Sequence, residues 1–371
     1  MTKRIYSLDV LRGLAIFIMV FVDAPPGMAY PIFVHAPWEG LTLADFAFPG
    51  FVFTMGVSAA VSMARREPST KKILKRTALL FALGLVFNSL PAIFQYLLHE
   101  NFTGANFYQQ AIEHMRVFGI LQRLALTYAL GMLLARAIRN DLGIFIASFV
   151  LLILSSAGYH VYAPDNPFDE AHNISRAVDY IFPGANHIFS PTHDPEGLYG
   201  TIASTASFLF GFLAGRVLVD NANLRDKIFL FCAASVIFFI AGSLWNSFDI
   251  IAKKLWTAPF ALITTGVEIF LLAALLQLFD VRPDTKKFFR PFLSIGMNPL
   301  FFFLATNIAL LFLVILPSPA EGMGFYDWLY QHTFFHLITP EFGSMIFCMI
   351  WCVLWLPLAE ILYRRGIIIK L

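Results

Sequence analysis

Charge is what this chain has least of: Asp, Glu, Lys and Arg make up 13% of its 371 residues, about half the share of an ordinary soluble domain. A chain so poor in charge is not built to present its surface to water as a set of soluble domains. Lys and Arg exceed Asp and Glu by only two, 26 against 24, so no nucleic-acid partner is expected. Cysteine is scarce as well. Cys232, Cys348 and Cys352 all sit in apolar runs, which argues against a disulfide framework, excludes a CxxC metal pair and leaves them as small core residues. The N-terminal MTKRIYSLDV leads into the first apolar run without an Ala-x-Ala-type cleavage site, so that run is expected to stay in the protein as a first helix. No repeat of solenoid period is visible, nor a convincing inverted repeat of the kind many transporters carry.

What is abundant is apolar: 58% of the residues are hydrophobic, 41 of them Phe. Apolar stretches of roughly 20 residues, the length that crosses a bilayer core, recur along the chain. They predict an all-α fold, a polytopic transmembrane helix bundle of about ten spans in contact with membrane lipid, with residues 1–371 as one domain. The spans are expected at about 5–24, 42–63, 77–98, 117–137, 142–162, 198–219, 228–247, 255–279, 291–316 and 342–363, each end uncertain by a few residues. With the N-terminus inside, alternate loops hold Arg65, Arg66, Lys71, Lys72, Lys75, Arg76, Arg136, Arg139, Arg225, Lys227, Arg282, Lys286, Lys287, Arg290, Arg364, Arg365 and Lys370. The opposite loops hold Arg116, Arg176, Lys253 and Lys254. Excess Lys and Arg marks the cytoplasmic side, so both termini are expected there. Residues 25–41, 99–116, 163–197 and 317–341 then face out, and their Pro, Gly, Asn and aromatic content predicts ordered loops.

Polar residues in this setting are the candidates for chemistry. All nine histidines fall in or beside the outward loops. His332 and His336 have the i, i+4 spacing of a metal pair but no HExxH accompanies them, and no metal is expected. His35 lies in VHAPWEGLTLADFAFPGF, with Glu39 and Asp45 close in sequence. Histidine gains and loses a proton near neutral pH, so it suits a general base toward an amine or hydroxyl; the plainer reading is a loop histidine held by a structural hydrogen bond. Charges inside spans are costly and mark function or mutual neutralisation. Asp9 and Arg12, three apart, share a helix face and are placed to pair. Arg123, in GILQRLALTYAL, requires an anionic group or a carboxylate to offset its burial, and Glu268 in the eighth span has no partner near it in sequence. Asn298 precedes Pro299 where unwound backbone lines a cavity or caps a helix. Asp194 and Glu196, just before the sixth span, suit either sugar hydroxyls or a helix N-terminus.

The runs SLDVLRGLAIFIMVFVD, HAPWEGLTLADFAFPGFVFTMGVS, GILQRLALTY, DPEGLYGTIAS with GFLAGRVL, KKLWTAPFALITT and SIGMNPLFFF, in this order, resemble the heparan-alpha-glucosaminide N-acetyltransferase family and its bacterial relatives. The resemblance covers nearly the whole chain. It implies a transmembrane acetyltransferase that takes an acetyl group from cytoplasmic acetyl-CoA and gives it to an amino sugar of glucosamine type on the outer face. The family's essential histidine, in a His-Ala-x-Trp-x-Gly-Leu-Thr context, is matched by His35, and its assisting Asn by Asp23. Asp9, Arg12, Arg123 and Asn298 match motif positions and are implied to line the donor's route. Trp38, Glu39 and Asp45 beside His35, with Asp194 and Glu196, are the candidates to hold the acceptor. Whether acetyl passes through His35 covalently or directly to the sugar is open on this evidence. A homodimer and a bacterial inner membrane are implied as well. The LDxLRG run of the first span is similar also to the acyltransferase-3 family, which places a histidine in an early span; residues 13–34 contain none, so the first family fits better. Two other functions remain in view: a secondary transporter of an amino sugar using Glu268 and Arg123, and a membrane scaffold in which His35 is replaceable.

Overall fold

The computed structural model describes residues 5–281, 288–320 and 322–369. Arg282, Lys286, Lys287 and Lys370 of the basic series lie outside them. Fifteen α-helices are described. The N-terminal half holds α1 (Tyr6–Val22), α2 (Ala47–Arg65), α3 (Thr70–Leu98), the short α4 (Gly104–Tyr108), α5 (Ile120–Ile138), α6 (Asp141–Tyr162) and the short α7 (Ile174–Asp179). The remainder holds α8 (Thr201–Val219), α9 (Leu224–Trp245), α10 (Ala258–Leu276), α11 (Arg290–Gly296), α12 (Pro299–Ile315), α13 (Phe325–Thr333), α14 (Pro340–Leu354) and α15 (Leu356–Arg364). Among the described residues the nearest thing to a strand is one isolated bridge between Pro317 and Gly324.

Each of the predicted spans is helical, but they differ in length and apolarity. Seven helices among the described residues are long and apolar enough to cross a membrane, and an eighth results if α11 and α12, bent 91° to one another, count as one. The segments outside that set are α1, 17 residues long, and α5, which carries Gln122, Arg123 and Arg136. Their polar residues break the run of apolar ones because both helices lie in the interior. The chain is an integral membrane protein in which this inner group is wrapped by more apolar helices: α8 and α10 are each 67% buried, whereas α3 is 17% and α9 22% buried. Leaving the outer faces of α3 and α9 exposed suits them to lipid.

Between inner helices, small residues let backbones meet, as packing in a membrane favours. At the α2–α8 seam a Cβ on Gly56 would lie 2.1 Å from the carbonyl oxygen of Phe208. Gly56→Ala is therefore expected to force the two helices apart and cost about 1–3 kcal/mol, read as a lower unfolding temperature of the purified protein in detergent; an unchanged transition would show that the seam gives way freely.

The helices alternate in direction, which gathers the loops at two ends. At one end the chain after α1 bonds to the turn after α9, Gly40 N–H to Ile251 O at 2.8 Å, and the chain before α5 bonds to the segment before α8, Val117 N–H to His187 O at 3.0 Å. At the other end Arg136 pairs with Glu67 at 2.9 Å, and Arg216 pairs with Asp141. The described basic clusters of the sequence gather at this second end.

Candidate active site

The first end holds a cavity of about 190 Å³ bounded by Met19, Val22, Asp23, His35, Ala47, Phe48, Glu196, Lys253 and Lys254, among others. Its wall nearest α2 is made by the HAPWEGLTLAD segment. Thr42 precedes a 3₁₀ turn, Leu43–Phe46, and Asp45 at its third position turns its carboxylate back over the chain. Asp45 Oδ2 accepts the N–H groups of Ala36 at 3.2 Å and Thr42 at 3.0 Å, with the Thr42 hydroxyl at 3.1 Å. Its other oxygen, Oδ1, lies 2.8 Å from His35 Nδ1. The Asp45 side chain is fully buried and that of His35 is 38% exposed, so the carboxylate is fixed and the imidazole is held by it with one face open to the cavity.

A third group completes this cluster. Lys253 Nζ is 3.0 Å from His35 Nδ1, 3.1 Å from His35 Nε2 and 3.7 Å from Asp45 Oδ1. It is held there by two devices. Gly40, at φ +111°, takes a left-handed conformation that glycine adopts freely, and from it donates to Ile251, docking the histidine loop onto the lysine turn. The lysine turn is itself closed by Thr257, whose hydroxyl accepts the Ala252 N–H at 3.1 Å, and anchored by Trp256, buried with its Nε1 3.2 Å from Ser207. Burial pushes the Lys253 ammonium below the ordinary lysine pKa, against the pull of Asp45, Glu196 and Asp23. With the Nδ1 proton directed at Asp45, Nε2 of His35 is the accepting nitrogen, and Lys253 Nζ is the donor against it at 3.1 Å.

Asp23 follows the last residue of α1 and opens into the cavity, placed by its N–H bond to Met19 O at 3.0 Å. Lys253, His35 and Glu196 line the same cavity. Glu196 reaches the cavity from the opposite wall, but it and Asp194 are engaged by Arg116. The guanidinium binds both Asp194 oxygens and Glu196, while Asp194 also accepts the N–H groups of Phe189 at 2.9 Å and Glu196 at 3.0 Å. Burial works against the Arg116 charge; Glu196 and Asp194 outweigh it and hold its pKa above the ordinary arginine value. Asp194 thus builds the loop, its oxygens engaged by Arg116 and by backbone N–H groups. Trp38 Nε1 donates to Phe168 O at 2.8 Å and its ring packs edge-on against His193. Glu39 is exposed beside it.

The four residues read as lining a donor route do not come together. Asp9 and Arg12 form the expected pair at 2.8 Å, with Arg12 donating also to Ser58 at 2.6 Å. They lie near the start of α1, about 21 Å (Asp9) and about 16 Å (Arg12) along the axis from Asp23 at 1.5 Å per residue. Asn298 is at that far end too, with Nδ2 on Ile367 O at 2.9 Å and Oδ1 on Ile369 N–H at 2.7 Å, pinning the C-terminal segment. Arg123 is at the cavity end instead: buried under the DPEG turn, its Nη2 donates to Gly197 O at 2.7 Å, its guanidinium stands 5.7 Å from the Trp256 ring, and Nε and Nη1 have no hydrogen-bond partner among the described residues. Its separation from Asp9, Arg12 and Asn298 follows from where each motif falls on alternating helices. His332 is bonded to Trp328 O, and α13 ends at Thr333, before His336. Glu268 is buried, its Oε1 3.0 Å from where a Cβ on Gly50 would stand.

Asp179 sits beside Arg123, packed against Gly197 so closely that a Cβ there would lie 1.9 Å from Oδ2. Burial raises its pKa to about 7, and the Leu198 N–H bond works the other way. Raised above the unfolded value, Asp179 keeps a proton in the folded state between about pH 4 and 7 that the unfolded chain has lost, so stability falls as pH rises through that window. Asp179→Asn is expected to raise the melting temperature at pH 8 and leave it unchanged near pH 4. The gain is bounded at about 4 kcal/mol from about 1.4 per pKa unit, and equal shifts at both pH values would contradict it.

A sequence profile described as an acyltransferase domain, of the acyltransferase-3 type, matches residues 5–283. The chain belongs to this acyltransferase family. The absence of a histidine from residues 13–34 therefore does not set that family aside, and the two resemblances are not rivals. The chain is also similar to heparan-alpha-glucosaminide N-acetyltransferase of Homo sapiens, 24% identical over 431 aligned positions that take in 99% of this chain and 60% of that protein. The mouse protein of the same name is 24% identical over 430 positions, 100% of this chain and 61% of its own length. The chain thus spans about three-fifths of the length of the curated relatives it matches.

Lys253 was not among the residues the sequence singled out for the site. Its signal was there as an exception, two adjacent lysines in a loop on the side where basic residues are few, next to a tryptophan.

Proposed function

We propose that this integral membrane acyltransferase family member transfers an acetyl group from acetyl-CoA, reaching the protein from the cytoplasm, to the amine of a glucosamine-type sugar at the outer end. The observation that carries the reading is the His35–Asp45 pair at the wall of a cavity that Asp23 and Glu196 also line. Asp45 holds the Nδ1 proton and so leaves Nε2 able to take one from the attacking amine. As the sugar nitrogen bonds to the carbonyl carbon of the thioester, that proton passes to Nε2; the carbon–sulfur bond breaks, and His35 returns the proton to the departing thiolate. Asp23 and Glu196 offer carboxylates to the amine N–H groups and hydroxyls of the acceptor.

A histidine at one end and basic clusters at the other fit a donor that stays inside. Coenzyme A is too large and polar to cross a bilayer, whereas its pantetheine arm is slim. Arg12 and the exposed Lys75 and Arg76 near the entrance of α3 are suited to its phosphates. Both termini inside, a homodimer and a bacterial inner membrane belong to the same proposal, as does function of residues 1–371 as one unit.

The test is transfer of label from acetyl-CoA to glucosamine by the purified protein in detergent. Labelled N-acetylglucosamine is the expected product. No transfer to any of a panel of amino sugars, together with no binding of acetyl-CoA, would overturn the reading and put solute transport by way of Glu268 and Arg123 in its place.

A further inference from the structure

The mechanism above uses Asp45, Asp23 and Glu196 around His35 and leaves out the group that lies against both its ring nitrogens, Lys253. Its ammonium sits within 3.1 Å of both imidazole nitrogens and 3.7 Å from Asp45, with 15% of its side chain exposed, and it lines the same cavity. An ion pair with Asp45 alone would not need that position, because Asp45 already has its oxygens filled by His35, Ala36 and Thr42. Nor does His35 need it for orientation, which Asp45 supplies. What the position does give is a cationic N–H donor about one hydrogen bond from the atom that receives the amine's proton.

We infer that Lys253 is a catalytic residue, its ammonium binding the oxygen of the thioester carbonyl as that oxygen gains charge. The inference rests on the acyl-transfer reading. In the step, the amine nitrogen bonds to the carbonyl carbon, the electron pair of the carbonyl moves onto oxygen, and Lys253 donates a hydrogen bond to that oxyanion. Collapse restores the carbonyl, expels the thiolate and leaves Lys253 unchanged. A donor fixed before the reaction and largely withdrawn from water stabilises such charge more than water does.

The groups facing Lys253 are His35 from the histidine loop, Asp45 from the 3₁₀ turn, Asp23 from the end of α1, Glu196 from the segment before α8 and Lys254 from its own turn. Burial outweighs the three carboxylates and brings its deprotonation to lower pH than for an ordinary lysine. Because the charged form acts, Lys253 sets the basic limb of the profile, and turnover should be lost as pH rises through its pKa; the acid limb belongs to His35, which acts unprotonated.

The experiment compares wild type, Lys253→Met and Lys253→Arg in the acetyl-CoA to glucosamine assay, with acetyl-CoA binding measured separately. Lys253→Met is expected to lower kcat about 10²-fold, the range for loss of one such donor, with the Kd of acetyl-CoA within threefold of wild type. Lys253→Arg is expected to recover part of kcat and to carry the basic limb of the pH profile upward, since arginine keeps its charge. That limb is readable even if the methionine variant does not fold. Turnover of Lys253→Met within threefold of wild type, or a basic limb that stays in place in Lys253→Arg, overturns the assignment while leaving the acyl-transfer reading intact. Absence of transfer by wild type overturns both.

Discussion

His35→Ala is expected to reduce acetyl transfer by about 10³-fold or more, near the upper part of the range for a positioned acid–base group. The size follows from there being no evident substitute. Asp45 is buried with both oxygens engaged, and Lys253, the other group against the imidazole, is itself drawn to Asp45 at 3.7 Å. The fold should survive, because His35 is part-exposed and its loop is held by Asp45, Thr42 and Gly40 rather than by the imidazole. Binding of acetyl-CoA is the control: it should stay within a few-fold of wild type while turnover falls. Incubating wild type with labelled acetyl-CoA and no sugar adds a second readout, since label held on the protein and absent from His35→Ala would route the acetyl group through Nε2 itself. A variant that retained a tenth of wild-type turnover would remove His35 from the chemistry.

How much of this was legible beforehand depended on sequence distance. The helices announced themselves because apolar runs of spanning length have few other uses, and the outward loops by their Pro and aromatic content. His35 and Asp45 are ten residues apart in one motif, so their partnership was within reach of the sequence. Lys253 is 218 residues from His35, and Arg116 is 78 from Asp194; pairings of that range are made by the bundle, and no local pattern encodes them. Asp194 illustrates the consequence. Read locally it is an acid before a helix, suited to sugar or to a cap, whereas the fold brings an arginine to it from another loop.

Other differences have local causes that were present but ambiguous. The segment 291–316 reads as one apolar run, yet Pro299 disfavours helical backbone at Asn298; the chain turns 91° there and the Asn298 amide is spent on Ile367 and Ile369. In α5, Arg123 signalled an interior position, and its partners are the carbonyls of Pro195 and Gly197 rather than a carboxylate. An arginine that props up the turn carrying Glu196 shapes the cavity from beneath, and a motif match at that position is as compatible with this work as with holding the donor.

Asp45→Asn should cost nearly as much as removing His35, about 10³-fold in kcat, with the loop still in place. The argument is one of protons. The oxygen that accepts the Ala36 and Thr42 N–H groups has to remain an oxygen, since an amide NH₂ there would face two donors. The asparagine is thereby forced to turn its NH₂ toward His35 Nδ1, 2.8 Å away in the wild type. Nδ1 must then accept, the imidazole proton moves to Nε2, and the nitrogen facing the cavity can no longer take a proton from the amine. Lys253 loses its nearest carboxylate at the same time, 3.7 Å away, which weakens its charge and compounds the loss. The measurement is kcat and acetyl-CoA Kd for Asp45→Asn beside Asp45→Ala. If the tautomer is what matters, the asparagine variant will bind donor as wild type does and turn over no faster than the alanine one, even though it preserves more of the loop's hydrogen bonds. Turnover by Asp45→Asn close to that of wild type would mean that Asp45 only braces the loop and that some other group sets the protonation of His35.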